Sequence, residues 1–278
     1  MKTRIGWFGS IDEMGKPDAL RRVREEMGLN TIIPESHLCH TSGFRVSPGV
    51  TAVSPVEGWR AQPTLDAHRQ MHRLPPEAFA VLPGVVSGWD DSVFLKVLDE
   101  AHGLGIDVWG HIGVWSYGGS VFPDLEMRDL DGTLVSAGDT RWGVPFCPSK
   151  KRLNDWIAAC IADIVKRYAM VGLHMDHARY APPAAFHILF GCGCADCEAE
   201  AGRMGYDFQG MKRGLLRLRQ RVQSLDAGRV RKALGGGTGF FDALAALEHD
   251  YQVLSWFKFR CDLLTARMRQ FREAAEGA

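Results

Sequence analysis

An alternation of strand, helix and strand runs through the first 176 residues and constrains the fold more than any other feature. Arg4-Ile5-Gly6-Trp7-Phe8-Gly9 has the pattern of a short buried strand. A helix follows from about Pro17 to Met27, with Ala19, Leu20, Val23 and Met27 on one face and Gly28 as its stop. Leu29-Asn30-Thr31-Ile32-Ile33-Pro34 is the second strand. The next helix, from about Asp91 to His102, closes at Gly103 and Gly105, and Ile106–Ile112 is the third strand. Leu153, Trp156, Ile157, Cys160, Ile161, Ile164, Val165 and Tyr168 mark a further helix at 3.6-residue spacing, and Val171–Asp176 is the fourth strand. The remainder reads as helical, ending in a helix over about 243–274.

Short helix-to-strand turns and long strand-to-helix loops predict a parallel sheet with its working groups at the C-terminal ends of the strands. The expected fold class is α/β, a (β/α) TIM-type barrel with about the first four β/α units in this chain. The long βα loops span 36–88 and 113–150. Residues 1–278 are expected to form a single barrel domain. Four units cannot close eight strands, so the domain is expected to be C-terminally incomplete, with pairing of two copies into a homo-oligomer, or further strands that the pattern does not reveal, as the alternatives.

The 33 Lys and Arg balance the 33 Asp and Glu, which gives no electrostatic reason to expect nucleic acid or an anionic membrane as a partner. The N-terminus has no apolar stretch of signal-peptide length, and no segment has the ~18 apolar residues of a membrane span. A cytoplasmic protein is expected, and the crowding of Cys192, Cys194 and Cys197 then favours metal binding over disulfides. A tetrahedral zinc site needs a fourth ligand. Cys147 is the best placed, because its loop and the cluster flank the same helix-strand unit. Cys39 and His187 are the other candidates. Reduced thiols without metal are the alternative. With four thiolates no coordination position stays open, so zinc there is structural.

The densest polar cluster is Gly172-Leu173-His174-Met175-Asp176-His177-Ala178-Arg179-Tyr180. Alternation along a strand puts His174 and Asp176 on one face and Leu173 and Met175 on the other. The polar pair is expected to face the barrel axis, with Arg179 as the partner that offsets desolvation of Asp176. A purely structural Asp–Arg pair is the alternative. His111, at the end of the third strand, and Glu35, just after the second, are further candidates. Trp59, Trp89, Trp115, Tyr117 and Trp142 lie in the loops, where flat aromatic faces suit sugar rings or anchor the loops themselves.

Two parts of the chain resemble glycoside hydrolases. The Cys-x-Cys-x-x-Cys run at 192–197, with Cys147-Pro148 upstream, resembles the zinc-binding arrangement of the family 42 β-galactosidases over residues 145–200. That resemblance implies a structural zinc on Cys147, Cys192, Cys194 and Cys197 of a (β/α)₈ barrel. The Asn-Glu pair of those enzymes is absent, since Asp176-His177-Ala178 stands in its place. The fourth strand instead looks like the Gly-x-Arg-x-Asp of α-amylase-type proteins, with His174 where those have Arg. This implies that Asp176 is the nucleophile and leaves the acid/base unassigned.

The first functional expectation is therefore hydrolysis of O-glycosidic bonds in an oligo- or polysaccharide. Asp176, His174, Arg179 and His111 would be catalytic. Glu35, His177, Trp115, Tyr117 and Trp142 would bind substrate. Retaining hydrolysis needs a second carboxyl about 5–5.5 Å away, and only Glu35 presents itself, so this chain alone is expected to be nearly inactive. The other two readings are a metal-dependent barrel hydrolase using His111, His174, Asp176 and His177, and a non-catalytic carbohydrate-binding protein.

Overall fold

The computed structural model describes residues 4–35, 39–40, 92–115, 125–135, 145–180, 188, 190–224, 228 and 250–278. Among these the strands are β1 (Gly6–Ser10), β2 (Thr31–Glu35), β3 (Cys39–His40), β4 (Asp107–Gly113) and β5 (Gly172–Asp176). The helices are α1 (Ile11–Met14), α2 (Ala19–Met27), α3 (Ser92–Gly103), α4 (Lys151–Arg167), α5 (Ala195–Arg203), α6 (Phe208–Gln223) and α7 (Tyr251–Glu276). Gly28 ends α2 in the left-handed region at φ 68° and donates to the carbonyls of Arg24 and Val23, as its place after the apolar stripe predicts.

All strand pairings are parallel. β1 pairs β2, β2 pairs β4, and β4 pairs β5. β3 lies on β4 along the same margin as β2: Ile32 faces Val108, and Cys39 faces Ile112 where an unbroken strand would bring residue 36. The strand count from sequence is thus one short. A two-residue strand is too brief to leave a period. The result is a five-strand parallel sheet in which β1, β2, β4 and β5 follow one another in chain order, the order of part of an α/β barrel, and a closed eight-stranded barrel is not formed among the described residues.

The register divides the sheet into two faces. Trp7, Ile32, Val108, Ile112, Leu173 and Met175 belong to an apolar core with Phe94, Val97 and Leu98 of α3 and Leu153, Trp156, Ile157 and Ile161 of α4. Leu173 and Met175 thus turn to the helices, as strand alternation requires. Phe8, His111, His174 and Asp176 occupy the opposite set of positions.

A second core surrounds the cysteines and includes Met127, Leu130, Phe190, Phe208, Met211, Leu215, Trp256 and Phe259. Helix α7 joins the two cores. Val253, Trp256, Phe259 and Leu263 pack in the second, and Phe271 packs in the first. The sequence placed the start of this helix near residue 243; it begins at Tyr251, behind an Asp250 side chain that accepts from the Gln252 N–H.

Candidate functional site

The strand-end cluster is built by adjacent strands. His111 and His174 face each other in the β4–β5 register, and Gly113 faces Asp176. The two imidazoles stack with centroids 5.5 Å apart. Phe8 of β1 meets both, at 5.3 Å from His111 and 5.6 Å from His174, and is itself half exposed. Nε2 of His111 stands 3.8 Å from Oδ2 of Asp176, and Nε2 of His177 stands 3.5 Å from the same oxygen. The His177 backbone N–H donates to Oδ1 at 2.8 Å. Nδ1 of His174 is buried without a hydrogen-bond partner among the described residues.

Burial holds the His111 imidazole down at about 4. Asp176 pulls it the other way, and His174 and His177 add to the depression. Burial likewise lowers His177, against the pull of Asp176 and with a further push from Arg179. Both rings are therefore neutral near pH 7, and no lysine or arginine among the described residues pairs with the carboxylate.

Arg179 does not take the place expected for it. It is exposed and forms no ion pair with Asp176. The cause is local. His177 adopts the left-handed conformation at φ 54°, and the Arg179 N–H then donates to the His177 carbonyl. This tight turn brings the His177 N–H back onto Asp176.

Trp115 is not a surface platform either. It is buried, its Nε1 donates to Asn154 Oδ1 at 2.9 Å, and its ring packs 5.9 Å from Phe271. Glu35 closes β2 in register with Ser10. Tyr117, Trp142, Trp59, Trp89 and His187 lie outside the described residues.

The cysteine centre forms where three segments meet. Cys147 N–H donates to the Leu125 carbonyl, Met127 N–H to that of Pro145, and Gly193 N–H to that of Asp129. Gly193 is required by contact: a Cβ there would stand 2.5 Å from the Leu130 oxygen and 2.6 Å from that of Asp129. Cys194 caps α5, so Cys197 comes within its first turn.

The four sulfurs of Cys147, Cys192, Cys194 and Cys197 all lie within 4.8 Å of one another and are buried. Cys147 Sγ is 3.4 Å from Cys197 Sγ and 3.7 Å from Cys194 Sγ. A tetrahedral ion with metal–sulfur bonds of about 2.3 Å separates its sulfurs by about 3.8 Å. The donor set and spacing fit such an ion. The Cys39 side chain lies outside the described residues.

Surrounding groups suit the charge of four thiolates on a dication. Cys192 Sγ accepts from the Arg128 N–H at 3.1 Å, Cys147 Sγ accepts from the Ser149 N–H at 3.4 Å, and Ser149 Oγ lies 3.0 Å from Cys197 Sγ. Burial opposes the charge on Lys150, but its bond to Asp196 and the nearby Cys194 and Cys147 raise its pKa overall. Arg260 lies 3.9 Å over the Tyr180 ring and feels Cys197 and Cys192. Shared hydrogen bonds from Cys147, Cys192 and Cys197 lower the Cys194 thiol, and burial raises that of Cys147. Among the described residues this is the one group of three or more such side chains close enough to hold an ion. The strand-end histidines and Asp176 do not form a second.

Sequence reasoning overlooked Glu126 and Asn154. Burial lifts the Glu126 carboxyl to about 7, against a backbone bond from Val135 and the charge of Arg128. Asn154 lies wholly buried in the first turn of α4, and nothing in the helical period distinguishes it from a surface amide.

No protein-family model matches the chain, and no curated protein matches it. Some solved structures are distantly similar. A hypothetical protein from Ruminiclostridium thermocellum ATCC 27405 superposes with a TM-score of 0.40 and 14% identity, over 69% of this chain and 85% of that one. The alpha-L-fucosidase isoenzyme 2 from Paenibacillus thiaminolyticus superposes with a TM-score of 0.46 and 13% identity, over 100% of this chain. The chain spans 31% of the fucosidase's length. Similarity at this level fixes neither a fold nor an activity.

Proposed function

We propose that the protein is a glycoside hydrolase-type α/β barrel protein in which Asp176 is the working carboxylate, as nucleophile or as stabiliser of the transition state. One observation carries this reading: at the C-terminal end of β5, two imidazoles and a backbone N–H converge on Asp176, and among the described residues no lysine or arginine does. Glycosidic cleavage passes through an oxocarbenium-like state that develops positive charge on the sugar. A carboxylate beside neutral imidazoles stabilises such charge, whereas a bound arginine would offset it. His111 and His177 orient the carboxylate. Barrel enzymes work at this end of the sheet.

The candidate second carboxyl is Glu35, at the end of β2 and two strands from β5 in the sheet. The cysteine centre holds zinc in a structural role, since four thiolates leave it no open position.

The test is turnover of a panel of aryl glycosides of different ring configuration, by wild type, Asp176→Asn and Glu35→Gln. The chain alone is expected to cleave at most slowly, and whatever turnover it shows is expected to fall about 10³-fold or more in Asp176→Asn. Turnover that survives Asp176→Asn contradicts the proposal. Sugar binding without turnover in any form of the protein leaves a carbohydrate-binding protein instead.

A further inference from the structure

The cysteine centre and the Asp176 end of the sheet are separate sites, yet a path of hydrogen bonds and backbone joins them. Pro148 follows the ligand Cys147, and its carbonyl accepts from Asn154 Nδ2 at 2.8 Å. Asn154 Oδ1 accepts from Trp115 Nε1 at 2.9 Å. The residue before Trp115, Val114, donates its backbone N–H to the Asp176 carbonyl at 3.2 Å. A second arm comes from α5, the helix that carries Cys197: Glu200 pairs with Arg267 at 2.9 Å, and Arg267 Nε donates to the same Pro148 carbonyl at 3.3 Å.

Asn154 is the hub of this path. Its side chain is wholly buried, so no water replaces a lost partner, and its carbonyl and amino groups face different segments. A residue needed only for packing at this place would be apolar. We propose that Asn154 is a positioning residue. It ties the metal-bearing loop at Cys147–Pro148 to the strand end that carries Asp176, so that filling the cysteine centre sets the geometry of the carboxylate. The proposal rests on Asp176 as the working carboxylate, but the readouts below do not depend on turnover.

The test uses the full chain loaded with zinc, in wild type, Asn154→Leu and Trp115→Phe. Two quantities are read: the rate of zinc release to a chromophoric chelator, and the imidazole resonances of His111 and His177. In both variants zinc is expected to leave about three- to thirtyfold faster, the range of a typical coupling between sites, and both imidazole resonances are expected to move. Should Asn154→Leu not fold, Trp115→Phe, which keeps a ring against Phe271, carries the test. A folded, zinc-loaded variant with the wild-type release rate or with unmoved resonances overturns the proposal, because the link must be felt at both ends. Failure of the wild type to take up zinc overturns it too. Loss of activity in Asp176→Asn is not among these readouts, so this proposal and the glycosidase reading stand or fall separately.

Discussion

Nε2 of His111 on β4 stands 3.8 Å from Oδ2 of Asp176 on the neighbouring β5, with the imidazole buried and the carboxylate partly open to solvent. The burial that neutralises the ring also makes the protein's stability depend on pH. His111 titrates at about 4 in the fold against 6.5 for the ordinary side chain. Between those values the unfolded chain binds the proton and the folded one does not. His111 therefore contributes stability above about pH 6.5 that is lost as pH falls toward 4, on the order of 3 kcal/mol. His111→Asn removes this dependence, and urea denaturation at pH 4.5 and 7 checks it.

Glu126 works in the opposite direction. Its carboxyl is held at about 7 in the fold against 4.5 ordinarily. Between these values the folded chain holds a proton that the unfolded one has lost, so stability falls as pH rises. Glu126→Gln is expected to match wild type near pH 4.5 and to exceed it by about 3 kcal/mol at pH 8. A difference that does not change with pH contradicts this account of Glu126.

Gly193→Ala places a Cβ against two carbonyl oxygens at 2.5 and 2.6 Å, and backbone cannot step aside as a flexible side chain does. Destabilisation of about 1–3 kcal/mol is expected, together with weaker metal retention. Chemical denaturation and elemental analysis of the variant check both.

Cys194→Ser removes one of four buried sulfurs. About one zinc per chain is expected in the wild type and almost none in the variant, with a large loss of thermal stability, because structural zinc supplies folding free energy directly. Equal metal content in the two proteins contradicts a tetrathiolate site.

How much of this was legible in the sequence differs from residue to residue. Three cysteines within six positions converge whatever the tertiary details, and Cys147 joins them because its loop and theirs flank the same α4–β5 unit. His174 and Asp176 share a face because strand alternation is rigid. Arg179 was misplaced because the turn after β5 depends on one backbone angle, at His177, which composition does not announce. Trp115 resembled a sugar platform because an indole in a loop looks the same whether it meets a ligand or Asn154 and Phe271. Glu126 lies in an irregular segment held by isolated bridges to Phe146 and between Arg128 and Leu134, so no period marks it as buried.

The most direct test of the central claim is calorimetric binding of cationic iminosugars and their parent neutral sugars, in several ring configurations, to wild type and Asp176→Asn. A carboxylate set among neutral imidazoles should prefer the protonated ring. At least one iminosugar is expected to bind about tenfold or more tightly than its sugar, a preference worth about 1.4 kcal/mol, and Asp176→Asn is expected to abolish it. Equal affinity for the charged and neutral rings, or a preference that survives Asp176→Asn, would contradict the assignment of Asp176 as the carboxylate that meets the sugar cation.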